Sequence, residues 1–110
     1  MNEKVTPFRQ RVYDALCRVP PGKVTTYKLL GQAIGCSSNR AIGQALRNNP
    51  FAPRVPCHRV IRSDLTIGGF AGKVHGAKIR KKLRLLKEEG VAFRDGFLAD
   101  PEQVFEFKAT

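Results

Sequence analysis

Apolar positions three and four apart open the ordered pattern of this chain. Thr6-Pro7 pairs a capping hydroxyl with a proline suited to the first helical position. Phe8, Val12, Ala15, Leu16 and Val19 then repeat at helical spacing, which predicts a helix stopped by Pro20-Pro21-Gly22. Thr25 or Thr26 can cap a second helix over Tyr27 to Ile34, ended by Gly35. Ser37 or Ser38 can cap a third, running to about Arg47. Its apolar residues Ala41, Ile42, Ala45 and Leu46 share a face, while Arg40, Gln44 and Arg47 fall largely on the others. Two short helices joined by a tight turn predict a helix-turn-helix, with the second as the reading helix.

Beyond Asn49-Pro50 the period changes. Val55 to Ile61 predicts a short, extended, partly buried segment, followed by a turn at Ser63-Asp64. Ile67 to Gly72 is a glycine-rich loop, read as a wing or as a wall where backbone approaches a ligand. His75 to Glu89 predicts a charged amphipathic helix with Ile79, Leu83 and Leu86 inward and Gly90 as its cap. Val91-Ala92-Phe93 and Val104 to Phe107 are expected to pair as a small terminal hairpin. The architecture expected is mostly α: one winged helix-turn-helix domain over residues 1–110, with its core at about 7–90.

Composition adds a partner class. The chain has 110 residues, 42% of them hydrophobic, enough for one packed domain. Its net charge is +11. From residue 15 to 87 the only carboxylate is Asp64, against fifteen Lys and Arg. Such a field attracts a polyanion. Residues 88–110 hold six acids against Arg94 and Lys108, so that end is expected to face away from it. Three widely spaced cysteines, Cys17, Cys36 and Cys57, do not make a disulfide framework and point to a reducing, intracellular compartment. No metal-ligand spacing is present, and neither metal nor cofactor is expected. No apolar run reaches bilayer length, and the basic stretch from Lys78 to Lys87 lacks aromatic anchors, so no membrane partner is expected.

Candidate chemistry lies in Pro56-Cys57-His58-Arg59-Val60. A lone cysteine is commonly a small buried hydrophobe. Here a thiol adjoins an imidazole in positive surroundings, which favour the nucleophilic thiolate. If the segment is extended, the two side chains point to opposite faces and communicate through a water. His58 then needs a third group to hold its tautomer, and Glu88 or Glu89 is the available carboxylate. Taken alone, Arg40 reads as a solvated charge or phosphate contact, Tyr27 as a core-rim residue and Asn49 as turn chemistry. Cys17 reads as structural.

The run Arg40-Ala41-Ile42-Gly43-Gln44-Ala45-Leu46-Arg47-Asn48-Asn49-Pro50, followed by Pro56-Cys57-His58-Arg59-Val60, closely resembles the O6-alkylguanine-DNA alkyltransferases. The resemblance spans about Pro7 to Gly90, the DNA-binding, active-site domain of that family. It implies DNA repair by base flipping and a single irreversible transfer of an alkyl group from guanine O6 to Cys57, with no cofactor. It implies that Glu89 holds His58, that His58 acts on Cys57 through water, and that Tyr27 donates a proton toward the guanine ring. Arg40 would fill the gap left by the flipped base from the minor groove. Ala41, Gln44, Ala45 and Arg47 would join Tyr27 at the DNA, the small side chains of Ala41 and Ala45 suiting close approach, and Asn49 would tie the helix pair to the active-site segment. Leu46, Val60, Phe70, Ala71 and Gly72 would form the lesion pocket, with the main chain at Cys57 and Val60 accepting from the guanine amino group. Phe70 and Ala71 stand where many members have tyrosine and serine. The family's separate N-terminal domain is expected to be absent. The partner expected is double-stranded DNA carrying O6-alkylguanine, bound by a monomer or by several copies side by side. Two other readings compete: an alkyltransferase-like lesion binder that flags damage without transfer, usually with tryptophan at the cysteine position, and a winged-helix regulator with an inert cysteine.

Overall fold

The computed structural model describes residues 5–68 and 76–107. Four α-helices, two 3-10 turns and two small two-stranded sheets make up the ordered elements among them. Helix α1 spans Pro7–Leu16, and the Thr6 hydroxyl accepts from the Arg9 N–H at 3.1 Å. It ends earlier than its apolar repeat implied. Val19 is buried from the turn that follows, not from the helix. Cys17 is exposed, so it has no packing role in the core. Strand β1, Thr25–Thr26, leads straight into α2, Tyr27–Ile34, with Thr26 capping Leu29 at 3.1 Å. Gly35 closes α2 at φ 72°, a conformation that costs glycine nothing. Helix α3, Asn39–Arg47, is capped by Ser38, whose hydroxyl accepts from Ala41 at 3.1 Å. The expected helix-turn-helix is present.

One glycine sets how closely α2 and α3 approach. A Cβ built on Gly31 would collide with the carbonyl oxygen of Cys36 and lie 3.0 Å from the Ile42 methyl. Alanine improves helix propensity by roughly 1 kcal/mol, but overpacking against a backbone atom costs about 1–3 kcal/mol. Gly31→Ala should therefore lower the urea midpoint, because the carbonyl cannot swing aside as a side chain can. A raised midpoint would show that the helix pair has slack.

The core has two parts. Val12, Tyr13 and Leu16 of α1, Leu30 of α2 and Ile42 and Ala45 of α3 pack with Val19, Val55 and Val60. Val24, Ile61, Leu86, Val91 and Leu98 form the second cluster. Between them runs a short parallel sheet. Strand β2, Val60–Ile61, lies beside β1 with Thr25 opposite Val60 and Thr26 opposite Ile61. This sheet brings the segment after Asn49 back against the start of α2.

Three sequence expectations are corrected. The segment before β2 is not extended: Cys57–Arg59 forms a 3-10 turn, closed by a hydrogen bond from Arg59 N–H to the Pro56 carbonyl. Helix α4 spans Ala77–Glu88 and does bury Ile79 and Leu86. Leu83, however, is 37% exposed, and the residue buried in its stead is Lys82, at 0%. The terminal hairpin pairs β3, Phe93–Arg94, with β4, Phe97–Leu98. Its turn is Asp95-Gly96, with φ of 53° and 85°. Positive φ at both positions is the two-residue turn whose twist suits a hairpin, and Asp-Gly is its sequence signal. Val104, expected in that hairpin, instead bridges Val24 in parallel beside β1. The Phe105 N–H donates to the Val24 carbonyl. Residues 69–75, which include the glycine-rich loop from position 69 onward and the expected helix start at His75, lie outside the described residues.

Candidate active site and nucleic-acid interface

The site is built on the 3-10 turn. Asn49, just past the end of α3, donates from its side-chain amide to the Val55 carbonyl at 2.9 Å. Its Oδ1 accepts from Phe51 at 2.9 Å. The Cys57 N–H donates to the same Val55 carbonyl at 2.8 Å. One carbonyl thus ties the end of the reading helix to the residue carrying the thiol. Among the described residues Cys57 is half-buried and unbridged.

His58, one residue on, is buried, and its Nε2 lies 3.0 Å from Glu89 Oε2. Glu89 is the C-cap of α4. Arg59 completes the cluster. Its Nε and Nη2 donate to the two Glu89 oxygens at 2.9 and 2.7 Å, and its Nη1 donates to the Val19 carbonyl at 2.8 Å. Burial acts to raise the Glu89 carboxyl, but hydrogen bonds from Arg59 and His58 outweigh it and leave the group below its ordinary range. An ionised carboxylate only accepts, so His58 carries its proton on Nε2 and keeps Nδ1 as the basic nitrogen. Burial pushes the imidazole pKa down, beyond the upward pull of Glu89, with Arg59 and Lys82 adding to the fall. His58 is therefore neutral and able to take a proton at neutral pH.

Around this network stands the helix-turn-helix. Arg40, Gln44 and Arg47 are exposed on α3, and Ala41 is half-buried. Ala45 does not belong with them: it is 0% exposed and packs in the core, so it cannot touch a partner. Leu46 also packs in that core cluster, at 9% exposure. A cavity of about 640 Å³ opens beside α3, lined by Tyr27, Asn39 and Gly43 on one side and by Arg62, Ser63, Asp64, Thr66, Ile67 and Gly68 on the other. Cys57 does not line it among the described residues. Burial raises the Tyr27 pKa, against a lowering by Arg62, so the phenol remains a donor. Val60 is buried, and its carbonyl accepts from the Lys82 ammonium at 2.7 Å. Phe70, Ala71 and Gly72 lie outside the described residues. Among the described residues no group of three His, Cys, Asp or Glu side chains could hold a metal ion. No described helix is long and apolar enough to cross a membrane.

The profile of the 6-O-methylguanine DNA methyltransferase DNA-binding domain matches residues 7–91. The chain belongs to that family. It is 42% identical over 91 residues to a methylated-DNA–protein-cysteine methyltransferase of Saccharolobus islandicus (strain M.16.27), covering 83% of this chain and 56% of that protein. The crystal structure of Mycobacterium tuberculosis OGT in complex with DNA is similar at 37% identity and a TM-score of 0.71, over 81% of this chain and 52% of that one. Another similar structure is S. pombe Atl1 in complex with damaged DNA containing O6-carboxymethylguanine, at 31% identity and a TM-score of 0.76. That likeness covers 96% of this chain and 100% of the other. The chain spans about half the length of the methyltransferase relatives it matches.

Within this methyltransferase-family domain, Cys57, His58 and Glu89 come together although Glu89 is 31 residues from His58 in sequence. Three further residues bear on the site and were not legible as such. Arg59 sits inside the cysteine motif, yet only its bidentate grip on Glu89 reveals its use. Tyr13 links α1 to the reading helix through a 2.7 Å hydrogen bond to the Ala45 carbonyl. Lys82 lies within a run of basic residues that reads as a solvated face, although it stands three residues after Ile79 and four before Leu86, on the apolar stripe of α4.

Proposed function

We propose that this chain repairs DNA by taking an alkyl group from guanine O6 onto Cys57, once and irreversibly. The observation that carries this reading is the Cys57–Arg59 turn, which sets a free thiol beside a neutral, carboxylate-oriented histidine next to a helix-turn-helix. In duplex DNA an O6-alkyl group is inside the stack, so the base must leave it, at a cost of about a few kcal/mol. Arg40 enters from the minor groove and fills the space vacated. Gln44, Arg47 and the basic surface hold phosphates, so affinity falls with salt. His58 Nδ1 takes the thiol proton through a water. The sulfur attacks the alkyl carbon, the S–C bond forms as C–O6 breaks, and the bonding pair leaves on the guanine. Tyr27 donates to the guanine ring, which departs neutral. The thioether is stable, so each molecule acts once, and the acceptor being a side chain, no cofactor is needed.

The test is an intact mass after mixing the protein with a duplex carrying one O6-methylguanine. A gain of one methylene unit, absent with undamaged DNA, is expected. Arg40→Ala should slow transfer from duplex about a hundredfold, the equivalent of the few kcal/mol that flipping costs. Reaction with free O6-alkylguanine base should change little; equal losses in both would remove Arg40 from the flipping step.

A second reading has its own support. The likeness to Atl1 covers 96% of this chain and the whole of that one. A lesion binder that flags damage without transfer would show no mass gain yet still prefer damaged duplex.

A further inference from the structure

We propose that the outward face of α4 is a second nucleic-acid contact: Arg80, Arg84 and Lys87, flanked by Lys78 and Lys81, hold phosphates of a DNA segment other than the one the helix-turn-helix engages. Its use in a search for damage rests on the repair reading; the binding itself does not.

Helix α4 buries Ile79, Lys82 and Leu86 and turns Lys78, Arg80, Lys81, Arg84 and Lys87 to solvent. Among the described residues, none of these five side chains makes an ion pair or a hydrogen bond. The fold gains nothing from their charges and bears a cost. Lys78 with Lys81, Lys81 with Arg84 and Arg84 with Lys87 are three residues apart, and Arg80 with Arg84 four. At these spacings like charges destabilise a helix. Lys78 and Arg80 also sit in the first turn, where the helix dipole disfavours cations, and that turn has neither an acid nor a capping side chain. Glu88, the last residue of α4, is its only acid. Nothing within the described residues compensates this charge; a bound polyanion does.

The face is separate from the reading helix. Val60 and Ile61 are neighbours in β2 and point to opposite sides of the short sheet. Val60 packs in the cluster that holds Ile42 and Ala45 of α3, and Ile61 in the one that holds Leu86 of α4. The two helices thus present their basic residues on different surfaces, and a duplex docked on α3 leaves α4 open to another. Arg80, Arg84 and Lys87 recur four and then three residues apart, as one row along the helix. The helix is about 18 Å long, a length over which duplex DNA presents about ten charges. A lipid surface fits less well, because interfacial helices insert an apolar face with aromatic anchors. The apolar side of α4 is buried in the core, Leu83 is its one exposed large hydrophobic residue, and it has no aromatic. Two separate phosphate contacts let one molecule hold one segment while it samples the next.

The test is an NMR titration of the isotope-labelled full chain with an undamaged duplex of about ten base pairs, one helical turn. Two sets of amide shifts are expected at fixed salt: one over α3, and a second over α4 that saturates only with a second equivalent of duplex. In the triple variant Arg80→Gln/Arg84→Gln/Lys87→Gln the second set should weaken roughly tenfold or more, while the α3 set keeps its midpoint. A single set of shifts at one duplex per chain, or a second set that the triple variant retains, would overturn the proposal. So would α4 shifts produced by vesicles of phosphatidylcholine and phosphatidylserine but not by duplex, which would make the partner a lipid surface. All three residues are exposed, so the variant should fold, and its melting temperature should rise as the repulsion is relieved. A fall would show that the charges serve the fold and would equally count against the contact. Two-site binding without methyl gain from damaged duplex would uphold the α4 contact and sink the transfer reading instead.

Discussion

Cys57→Ser is expected to abolish the mass gain from O6-methylguanine duplex while leaving binding to that duplex within a fewfold of wild type. The two halves of this result have different physical origins. Transfer needs a nucleophile that is an anion, or nearly so, at neutral pH. A thiol with an ordinary pKa of about 8.5 is within reach of a neutral imidazole, whereas a serine hydroxyl is not. Binding draws on Lys and Arg contacts to phosphate, which one buried-edge atom does not alter. Intact mass and a fluorescence-polarisation titration at fixed salt read the two separately. Transfer retained in the serine protein, or found by peptide mapping on Cys36 or Cys17, would remove Cys57 as the acceptor. Loss of both would point to a folding defect, which a thermal melt detects.

Glu89→Gln should slow methyl transfer about a hundredfold, the low end of what a positioned general base contributes. The carboxylate takes two donors from Arg59 and one from His58. A glutamine offers one acceptor oxygen and turns an NH2 group toward these donors, so at least one contact becomes donor against donor. Stability at pH 7 should fall by about 2 kcal/mol, less than a fully buried pair would lose, because the Glu89 side chain remains partly solvated. The pH dependence has a definite sign. Glu89 titrates below its ordinary 4.5 in the folded protein, so its contribution is complete above that value and is lost as pH falls through the folded one. His58 titrates below its ordinary 6.5, so the unfolded chain takes up its proton first and stability again declines toward acid. Urea unfolding at pH 7 and pH 3 should show a wider gap between wild type and Glu89→Gln at the first pH than at the second. A gap independent of pH would mean that the ionised carboxylate is not what holds the network. An unchanged transfer rate would take Glu89 out of the chemistry.

The places where sequence reasoning failed share a cause. Periodicity allowed both Leu83 and Lys82 on the inner face of α4, and charge made Lys82 read as solvated; the packing reversed the two. A helical repeat says that some face is buried, but the angle at which α4 meets the turn at Cys57–Arg59 decides which residues occupy it. The hairpin was expected between Val91-Ala92-Phe93 and the stretch from Val104 to Phe107. The Asp95-Gly96 turn, a stronger local signal, pairs Phe93 with Leu98 and frees Val104 to lie beside Val24. Ala45 was placed at the nucleic-acid face for its small size, yet small size equally lets α3 pack against α1.

Three of the four helix starts were legible in the chain to within a residue, because each depends on a hydroxyl three residues before the backbone N–H it caps: Thr6 outright, and Thr26 and Ser38 as one of two neighbouring hydroxyls. The basic field and the adjacent thiol and imidazole were likewise there to be read, since charge and covalent neighbours need no folding. The family resemblance had chosen Glu89 where residue chemistry left Glu88 open; tertiary structure alone decided that Arg59 clamps that carboxylate and that one lysine of a basic helix is buried against the Val60 carbonyl. Those choices depend on where α4 lies against the turn and the short sheet, a distance in space that residue order does not encode.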